Sequence, residues 1–466
     1  MTARIQTDEL TFRKKSFSSV WDDPYSKDVA LPDHTAGART FIFHPYQRKK
    51  QENISVSRTP RARLEEAISL SAALDLDVIQ AVTIGIPNIR PATYLGRGKV
   101  EELADFISEN EIELVVADCE LSPGQQRNLE KDLGCKVIDR TGLILEIFGE
   151  RAQTREGSLQ VELAHLSYQK SRLVRSWTHL ERQRGGFGFM GGPGETQIEA
   201  DRRMIDERIG KIRRQLETVT KTRTLHRKSR KKVPFPVIAL VGYTNAGKST
   251  LFNRLTSADV MAEDLLFATL DPTMRQLELP NNKKAIFSDT VGFISDLPTH
   301  LVAAFRATLE EVVEADIIIH VRDISHPETD EQRNDVMSVL KSLGVEDGED
   351  RTIIELWNKI DLVPAEEREV LENKAARGEN VVLVSAVTGE GCSGFLQMLS
   401  DYLSRDESIY HFSFRPDQGA DIAQLYENGE VLFREDHEDH TLITAKLSAK
   451  IVGILEKQGI HFTGTG

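Results

Sequence analysis

The sequence contains one short glycine-rich segment whose residue types can hold phosphate groups. Residues 242–249 read GYTNAGKS and fit the pattern G-x-x-x-x-G-K-S, and the apolar stretch PFPVIALVG runs directly into them. Glycines let such a loop fold tightly, so that its backbone N–H groups point at phosphate oxygens, and the helix that follows adds its N-terminal dipole. We expect Lys248 to neutralise the β- and γ-phosphates of a nucleotide and the Ser249 hydroxyl to be a ligand of Mg²⁺.

A second segment, 40 residues after Ser249, can complete the metal and phosphate site. Asp289, Thr290, Val291 and Gly292 form a D-x-x-G pattern directly after the strand-like stretch AIFS. A carboxylate at the carboxyl end of a strand can hold the water shell of the metal, and the Gly292 N–H can reach the γ-phosphate. Alone this pattern has little value, but its spacing from the glycine-rich loop makes it specific.

Two further segments predict which base the nucleotide carries. Asn358, Lys359 and Asp361 belong to NKID, which follows the apolar stretch TIIELW, and Ser385 and Ala386 follow VVLV. The Asp361 carboxylate can accept hydrogen bonds from the ring N–H and the exocyclic amine of guanine, whereas adenine would leave it unpaired. Backbone N–H groups of Ser385 and Ala386 are expected near the guanine O6. Together these segments predict GTP rather than ATP as the ligand.

The segment between the glycine-rich loop and the D-x-x-G pattern carries a threonine that we expect to reach the metal. Residues 264–279 read DLLFATLDPTMRQLEL. A mobile loop there would place a threonine hydroxyl on Mg²⁺ when the γ-phosphate is present. The residues alone leave Thr269 and Thr273 as candidates.

Two residues bear on how the reaction runs. In many GTPases a glutamine directly after D-x-x-G orients the attacking water, but that position here is Phe293, which cannot do so. We therefore expect slow intrinsic hydrolysis that a partner stimulates. Asn245 stands where an asparagine helps to hold K⁺ in some GTPases with an NAGKS loop; the alternative is an asparagine that only stabilises the loop.

The elements upstream of this site predict a tail and a small domain. Residues 1–52 are polar without clear periodicity and are interpreted as a flexible N-terminal tail. Residues 53–150 alternate strand-like and helix-like stretches, which predicts a small parallel α/β domain. Within it, SPGQQRNLEKDLG predicts a helix capped by Ser122 and closed by Gly134.

Residues 151–232 combine helical periodicity with basic charge. Two stretches with apolar residues at spacings of 3 and 4 are joined by RGGFGFMGGPGE, which predicts an antiparallel helical hairpin with a Gly-rich tip loop. The segment has 20 Lys+Arg against 9 Asp+Glu, a net of +11, which leaves −25 on the rest of a chain whose total is −14. This concentration of charge favours a contact with a polyanion over a mere linker.

Two domains are predicted after the hairpin. Residues 233–405 alternate strands and helices around the glycine-rich loop and predict an α/β domain of the P-loop GTPase class. Residues 406–466 predict a small acidic α+β domain, with Asn428-Gly429 as the turn of a β-hairpin and a helix over 448–457. His437 and His440 are interpreted as part of a solvated loop.

Composition limits the class of protein further. The 39% apolar content suits a folded soluble chain. No run approaches the ~20 apolar residues of a membrane span, and the N-terminus lacks the apolar region of a secretory signal. The three cysteines, Cys119, Cys135 and Cys392, fit neither a metal-ligand spacing nor a disulfide framework. We therefore expect a cytoplasmic protein without membrane insertion, and its acidic exterior favours a monomer.

The motifs also resemble a known family. GYTNAGKST, FATLDPT, DTVGF, NKID and SA resemble the translation-factor-related GTPases. With GRGKVEEL and GGFGFMGGPGETQIEADRR upstream, the chain resembles the HflX family of ribosome-associated GTPases over about residues 55–405. This resemblance implies an N-terminal α/β domain with a helical hairpin, then the GTPase domain and a small C-terminal domain. It also selects Thr269 over Thr273.

The resemblance implies partners as well. It implies binding to the large ribosomal subunit and a role in rescuing or splitting stalled or idle ribosomes, with the basic hairpin reaching ribosomal RNA. The net charge of the hairpin is compatible with this, because Lys and Arg make the contacts to phosphate. The alternative is a GTP-dependent switch that recruits a protein partner without touching RNA.

Some members of the family bind adenine nucleotide with the N-terminal domain. Here Gly96 and Gly98 lie at a predicted helix start, which can receive a phosphate. A tight turn with a capping glycine explains the same residues equally well.

The expected site then comprises three sets of residues. Catalytic roles are expected for Lys248, Thr269 and Gly292, and ligation of Mg²⁺ for Ser249 and Thr269. Contacts to GTP are expected from Gly242, Tyr243, Thr244, Asn245, Ala246, Gly247, Lys248, Ser249, Thr250, Phe267, Ala268, Thr269, Leu270, Asp271, Asp289, Thr290, Val291, Gly292, Asn358, Lys359, Asp361, Ser385 and Ala386.

Overall fold

The chain folds into two compact units, one made of Met1–Ile147 with Ser171–Gly191 and the other of Phe148–Lys170 with Gly192–Gly466. The first unit holds the N-terminal sheet, and the second holds the hairpin helices, the central sheet and the C-terminal sheet. The computed structural model describes residues 37–47, 58–173, 197–230, 235–256, 273–280, 283–295, 306–345, 352–378, 380–405, 407–457, 460 and 462–465.

The N-terminal sheet has four parallel strands in the order β2-β1-β3-β4. The strands are β1 (Arg39–Gln47), β2 (Asp77–Ile86), β3 (Leu114–Ala117) and β4 (Lys136–Asp139), and the helices are α1 (Pro60–Ala72), α2 (Arg97–Glu109), α3 (Pro123–Leu133) and α4 (Arg140–Arg151). Helix α3 begins after Ser122, whose side chain accepts from the Gln125 N–H, and ends at Gly134 in the left-handed region. The predicted limits of this helix are therefore confirmed.

The prediction of a flexible tail over residues 1–52 is wrong for the part that forms β1. Strand β1 lies between β2 and β3, and Phe41 and Phe43 are fully buried in the core of this domain. Pro45 is unexpected in a central strand, because proline cannot donate to a ladder. Only the Thr40–Phe43 part of β1 pairs with β3, so Pro45 lies where β1 has a single neighbouring strand, β2.

Two helices form the predicted hairpin segment, α5 (Arg155–Arg172) and α6 (Gln197–Arg230). Ion pairs join them at Lys170–Asp206 and at Glu162–Arg208, an order that corresponds to antiparallel helices. Ile209 and Ile212 are buried on α6. Neither helix, nor any other in the described part of the chain, has the length and apolar content needed to cross a membrane. The Gly-rich tip loop lies outside the described residues.

The central sheet has six strands in the order β10-β9-β8-β5-β7-β6, and only β6 runs antiparallel to its neighbour. The strands are β5 (Val237–Gly242), β6 (Thr273–Leu279), β7 (Lys283–Asp289), β8 (Ile317–Asp323), β9 (Thr352–Asn358) and β10 (Val381–Leu383). The helices are α7 (Lys248–Thr256), α8 (Arg306–Glu314), α9 (Thr329–Ser342), α10 (Ala365–Ala375) and α11 (Cys392–Leu403), with a 3₁₀ turn at Ile360–Leu362. Leu240, Phe287, Ile319 and Phe395 belong to its buried core.

The C-terminal sheet is antiparallel, in the order β12-β13-β11-β14. Its elements are β11 (Glu407–Phe414), α12 (Gly419–Asn428), β12 (Glu430–Asp436), β13 (Thr441–Ser448), α13 (Ala449–Lys457) and β14 (Phe462–Thr465). Helix α13 matches the helix predicted over 448–457.

The predicted hairpin turn at Asn428-Gly429 is wrong. Asn428 ends α12, and Gly429 has an extended backbone at φ −149°. A Cβ on Gly429 would lie 2.2 Å from Leu447 Cδ2, so glycine serves close packing here rather than a turn. The hairpin turn lies between β12 and β13, where the His437 N–H donates to the His440 carbonyl at 2.8 Å.

Candidate functional site

The central sheet brings the predicted motifs to one edge. Strands β5, β7 and β9 are mutually parallel, and they end at Gly242, Asp289 and Asn358. The carboxyl ends of parallel strands form the usual ligand-binding edge of open α/β sheets. The glycine-rich loop, the D-x-x-G segment and NKID are therefore neighbours in space although they span more than a hundred residues of sequence.

Lys248 is the first residue of α7 and lies folded back over the glycine-rich loop. Its Nζ donates to the Tyr243 carbonyl at 2.9 Å, and only 6% of the residue is exposed. Burial lowers the pKa of Lys248 to about 8, while the nearby Asp289 carboxylate acts in the opposite direction. An amine held in this way is poised to gain an anionic partner, because phosphate oxygens would repay the cost of its burial.

Ser249 and Asp289 join the glycine-rich loop to the D-x-x-G segment. The Ser249 hydroxyl donates to Asp289 Oδ2 at 2.7 Å. A hydroxyl beside a carboxylate offers the hard oxygen donors that Mg²⁺ prefers. Gly292 also adjoins the loop, since a Cβ built on it would lie 3.2 Å from Lys248 Nζ and 2.7 Å from Thr244 Cγ2.

The backbone of the D-x-x-G segment is fastened to the glycine-rich loop. The Thr244 N–H donates to the Phe293 carbonyl at 2.8 Å, and the Phe293 N–H donates to the Gly242 carbonyl at 3.1 Å. The Tyr243 hydroxyl accepts from the Ser295 N–H at 2.8 Å. Phe293 itself is only 2% exposed. The residue at the usual glutamine position is thus an apolar side chain packed inside the domain.

Two of the predicted contact residues turn their side chains into the protein. Thr290 is fully buried and its hydroxyl donates to the Leu240 carbonyl at 2.5 Å, and Val291 is 3% exposed. Any contact from these two residues to a nucleotide would therefore involve their backbone atoms.

Asn358 connects the glycine-rich loop with the Ser385-Ala386 segment. Its Nδ2 donates to the Ala246 carbonyl at 2.8 Å, and its Oδ1 accepts from the Ala386 N–H at 2.9 Å. Gly247 makes room for this link: it has a φ of +88°, and a Cβ there would lie 2.3 Å from Asn358 Nδ2. A single buried amide thus holds the predicted phosphate and base segments together.

The rest of NKID is ordered by the end of β8. Lys359 has a left-handed backbone at φ 65°, and its Nζ lies 2.8 Å from Asp323 Oδ2. Asp361 lies in the following 3₁₀ turn with its side chain exposed. Asp323 belongs to none of the sequence motifs, although its position at the end of an apolar strand is a usable signal.

The amides of Ser385 and Ala386 already have acceptors in the protein. The Ser385 N–H donates to the Glu390 carbonyl at 2.9 Å, and the Ala386 N–H donates to Asn358. The Ser385 hydroxyl accepts from the Thr388 N–H at 3.0 Å. A contact from either amide to guanine O6 would therefore have to share or replace these bonds.

Some predicted residues remain to be placed. Asn245 is exposed, with a left-handed backbone at φ 58°, and Thr250 lies partly buried on α7. Both alternatives for Asn245, K⁺ binding and loop stabilisation, stay open because asparagine tolerates this conformation. Phe267, Ala268, Thr269, Leu270 and Asp271 lie outside the described residues.

Comparison with known proteins follows the same division of the chain. Residues 61–149 match the family described as GTP-binding GTPase N-terminal, and residues 151–230 match GTP-binding GTPase Middle Region. Residues 237–359 match 50S ribosome-binding GTPase, and residues 370–459 match HflX C-terminal domain.

Individual relatives match over most of their length. GTPase HflX of Magnetococcus marinus is 50% identical over 92% of this chain and 98% of its own. GTPase HflX of Escherichia coli is 42% identical over 84% of this chain and 89% of its own. The crystal structure of a GTP-binding protein from Sulfolobus solfataricus in complex with GDP covers 78% of this chain and 98% of its own, at 23% identity and a TM-score of 0.41. The two GTPase HflX relatives are 50% and 42% identical to this chain over most of both lengths. The chain therefore belongs to the HflX family of GTPases, which bind and hydrolyse GTP.

Proposed function

We propose that this protein uses GTP to control its binding to the large ribosomal subunit, and that it acts in rescuing or splitting stalled or idle ribosomes. The observation that carries the proposal is the basic hairpin, with its net +11, in a chain that is otherwise strongly acidic. The description of the family that matches residues 237–359, 50S ribosome-binding GTPase, supports the same partner.

The nucleotide site is assigned to the edge of the central sheet. The glycine-rich loop and Lys248 hold the β- and γ-phosphates, and Gly292 offers its N–H to the γ-phosphate. Asp361 reads the guanine edge while Asn358 holds the base segment against the loop. The fixed hydrogen bonds around Asn358 and Phe293 support this assignment, because a preorganised site binds without a large ordering cost.

Ser249 is assigned as a ligand of Mg²⁺, with Thr269 as the second protein ligand expected from the family pattern. Asp289 orients Ser249 and holds the water shell of the ion, as its 2.7 Å bond to the hydroxyl supports. When bound, the ion would supply positive charge that offsets the negative charge of the β- and γ-phosphates.

Hydrolysis without a partner is proposed to be slow. Phe293 is buried and apolar, so it neither donates to nor accepts from an attacking water. Among the described residues of the site, we identify no other side chain that would position the attacking water in place of glutamine. The missing group is therefore proposed to come from, or be ordered by, the large ribosomal subunit.

The outer surface of α6 supports a contact with RNA. The 34 residues of α6 extend about 50 Å. The exposed basic side chains on it that have no acidic partner within the described residues include Lys211, Arg213, Arg214 and Lys221. Basic side chains that the protein does not already neutralise are the ones available to phosphates.

Co-sedimentation with purified large subunits tests this proposal. Replacing the four basic residues of α6 by Gln should weaken binding and lower its salt dependence by about one unit of slope per lost phosphate contact. The matched control replaces four exposed basic residues elsewhere, Lys131, Lys136, Arg377 and Arg415, and should bind as the parent protein does. Binding that ignores salt and both sets of changes would instead favour a switch that recruits a protein partner.

A further inference from the structure

Arg254 links the helix that follows the glycine-rich loop to the base segment. It lies on α7, six residues after Lys248. Its Nε donates to the Ala386 carbonyl and its Nη2 donates to the Val387 carbonyl, across more than 130 residues of sequence. One guanidinium thus holds two successive carbonyl groups of the segment that follows β10. None of the motif patterns in the sequence contains this residue.

The peptide around Ala386 is consequently held from both sides. Asn358 accepts from its N–H, and Arg254 donates to its carbonyl. Each link depends on a glycine with a left-handed backbone beside it. Gly247 leaves space for the Asn358 amide, and Gly389, at φ +89°, leaves space for Arg254, since a Cβ on Gly389 would lie 2.6 Å from Arg254 Nη1.

We propose that Arg254 is a positioning residue for guanine. By fixing the distance between the glycine-rich loop and the base segment, Arg254 holds that segment where the base binds. Helix α7 begins at Lys248, in the phosphate-binding half of the site, and Arg254 ties the same helix to Ala386 and Val387. This inference rests on the proposed assignment of the nucleotide site.

The physical basis is preorganisation. The Ala386 and Val387 carbonyls belong to a loop that would otherwise have to be ordered when the base binds, at a cost in affinity. The hydrogen bonds of Arg254 go to the base segment, so its guanidinium holds that segment and does not act on the reacting phosphate atoms. Its loss should therefore weaken the binding of GDP and GTP alike and leave the rate of the bound complex nearly unchanged.

The test measures Kd for GDP and GTP, and kcat at saturating GTP, for Arg254→Gln and Arg254→Lys. The Gln variant, which loses the charged bidentate donor, should bind both nucleotides about tenfold more weakly, with kcat within about twofold of the parent protein. The Lys variant keeps a charge but has one donor group, so its Kd should lie between the two. Arg377→Gln, on an exposed arginine of the same domain, should match the parent protein.

Two outcomes would overturn the inference. One is a Kd for GDP that stays within about twofold of the parent protein in both variants. The other is a fall in kcat with Kd unchanged, which would place Arg254 in the chemistry instead. Asp361→Asn separates this from the site assignment. If Asp361→Asn weakens GDP binding and Arg254→Gln does not, the role of Arg254 alone is wrong; if neither does, the base site lies elsewhere.

Discussion

The Ser249 hydroxyl donates to Asp289 Oδ2 at 2.7 Å. The metal-binding candidates of the glycine-rich loop and of the D-x-x-G segment are therefore in direct contact. The contact explains why neither motif suffices alone: one supplies the ligand and the other orients it. Ser249→Ala should reduce GTP turnover by on the order of 100-fold at saturating Mg²⁺, since the metal contributes several kcal/mol of charge stabilisation in the transition state.

The measurement is steady-state phosphate release over a range of Mg²⁺ concentrations. Ser342→Ala, on an exposed serine of α9, should behave as the parent protein does. GDP binding measured in EDTA should survive in the Ser249 variant. Unchanged turnover and unchanged Mg²⁺ dependence in Ser249→Ala would remove this residue from the metal site.

Lys248 predicts a pH dependence of nucleotide affinity. Burial lowers its pKa to about 8, so the amine of the protein without nucleotide loses its proton as the pH rises through 8. Bound phosphates favour the charged form, and the Kd for GDP should therefore rise with pH above 8, by at most about tenfold per unit. Binding measured between pH 7 and 9 checks this, with Lys248→Arg as a variant that stays charged and should show a flatter profile.

The lowered pKa of Lys248 also predicts the direction in which the free energy of unfolding changes with pH. In the unfolded chain Lys248 titrates near its ordinary value of 10.5, above its folded value of about 8. Between these values the unfolded state binds more protons, so the contribution of Lys248 to the free energy of unfolding rises with pH in this window. Lys248→Met should remove that rise in urea unfolding without nucleotide; a rise of the same size in the variant would contradict the assignment.

The sequence predicted the residues that carry the chemistry of the site better than the residues that hold them in place. Ser249, Asp289 and Asn358 stand in patterns whose order and spacing are tied to one fold, and the structure brings them to one edge of the sheet. Arg254 and Asp323 were missed because their partners lie far away in sequence and depend on the packing of β8, β10 and α7.

The fold shows the same division between local and distant information. The limits of α3 are set by Ser122 and Gly134, both local to the helix. Strand β1 was missed because its partners, β2 and β3, follow it by tens of residues and Pro45 weakens the local pattern. Asn428-Gly429 misled because its local pattern is that of a turn, whereas packing against Leu447 requires glycine there.

Asn245 predicts a test of the monovalent ion. If this residue helps to hold K⁺, turnover should be several-fold faster in KCl than in NaCl at equal ionic strength, because the ion adds positive charge beside the phosphates. Asn245→Ala should then lose the difference between the two salts. Equal rates in both salts would leave Asn245 as a residue that stabilises the loop in its left-handed conformation.

Asp118 lies in a buried ion-pair network of the N-terminal domain, where we expect a substitution to lower stability markedly. It is buried, lies 2.8 Å from His44 Nδ1 and 2.6 Å from Arg140 Nη1, and follows directly after β3. Burial alone would raise the pKa of Asp118, but Arg140 and His44 hold it well below its usual range. Asp118→Asn should lower the free energy of unfolding by about 1.5–3 kcal/mol, because it removes a charged acceptor from buried Arg140, which keeps Glu66 as its remaining acidic partner.

Urea unfolding at several pH values measures this effect. The stabilisation from a carboxylate with a lowered pKa is present above the unfolded value near 4 and is lost as the pH falls below it. The difference between the parent protein and Asp118→Asn should therefore shrink in acid. Asp105→Asn, on an exposed carboxylate of α2, should change stability by less than about 0.5 kcal/mol. An effect of Asp118→Asn no larger than this control would contradict the network.

GTP turnover by the purified protein, alone and with purified large ribosomal subunits, tests the central claim most directly. Buried Phe293 at the usual glutamine position predicts slow turnover alone and a large stimulation by the subunits. The variant with four neutralised residues on α6 should keep the slow rate and lose most of the stimulation. No stimulation of a protein that binds GTP normally would contradict the proposed ribosomal role and leave only the GTPase.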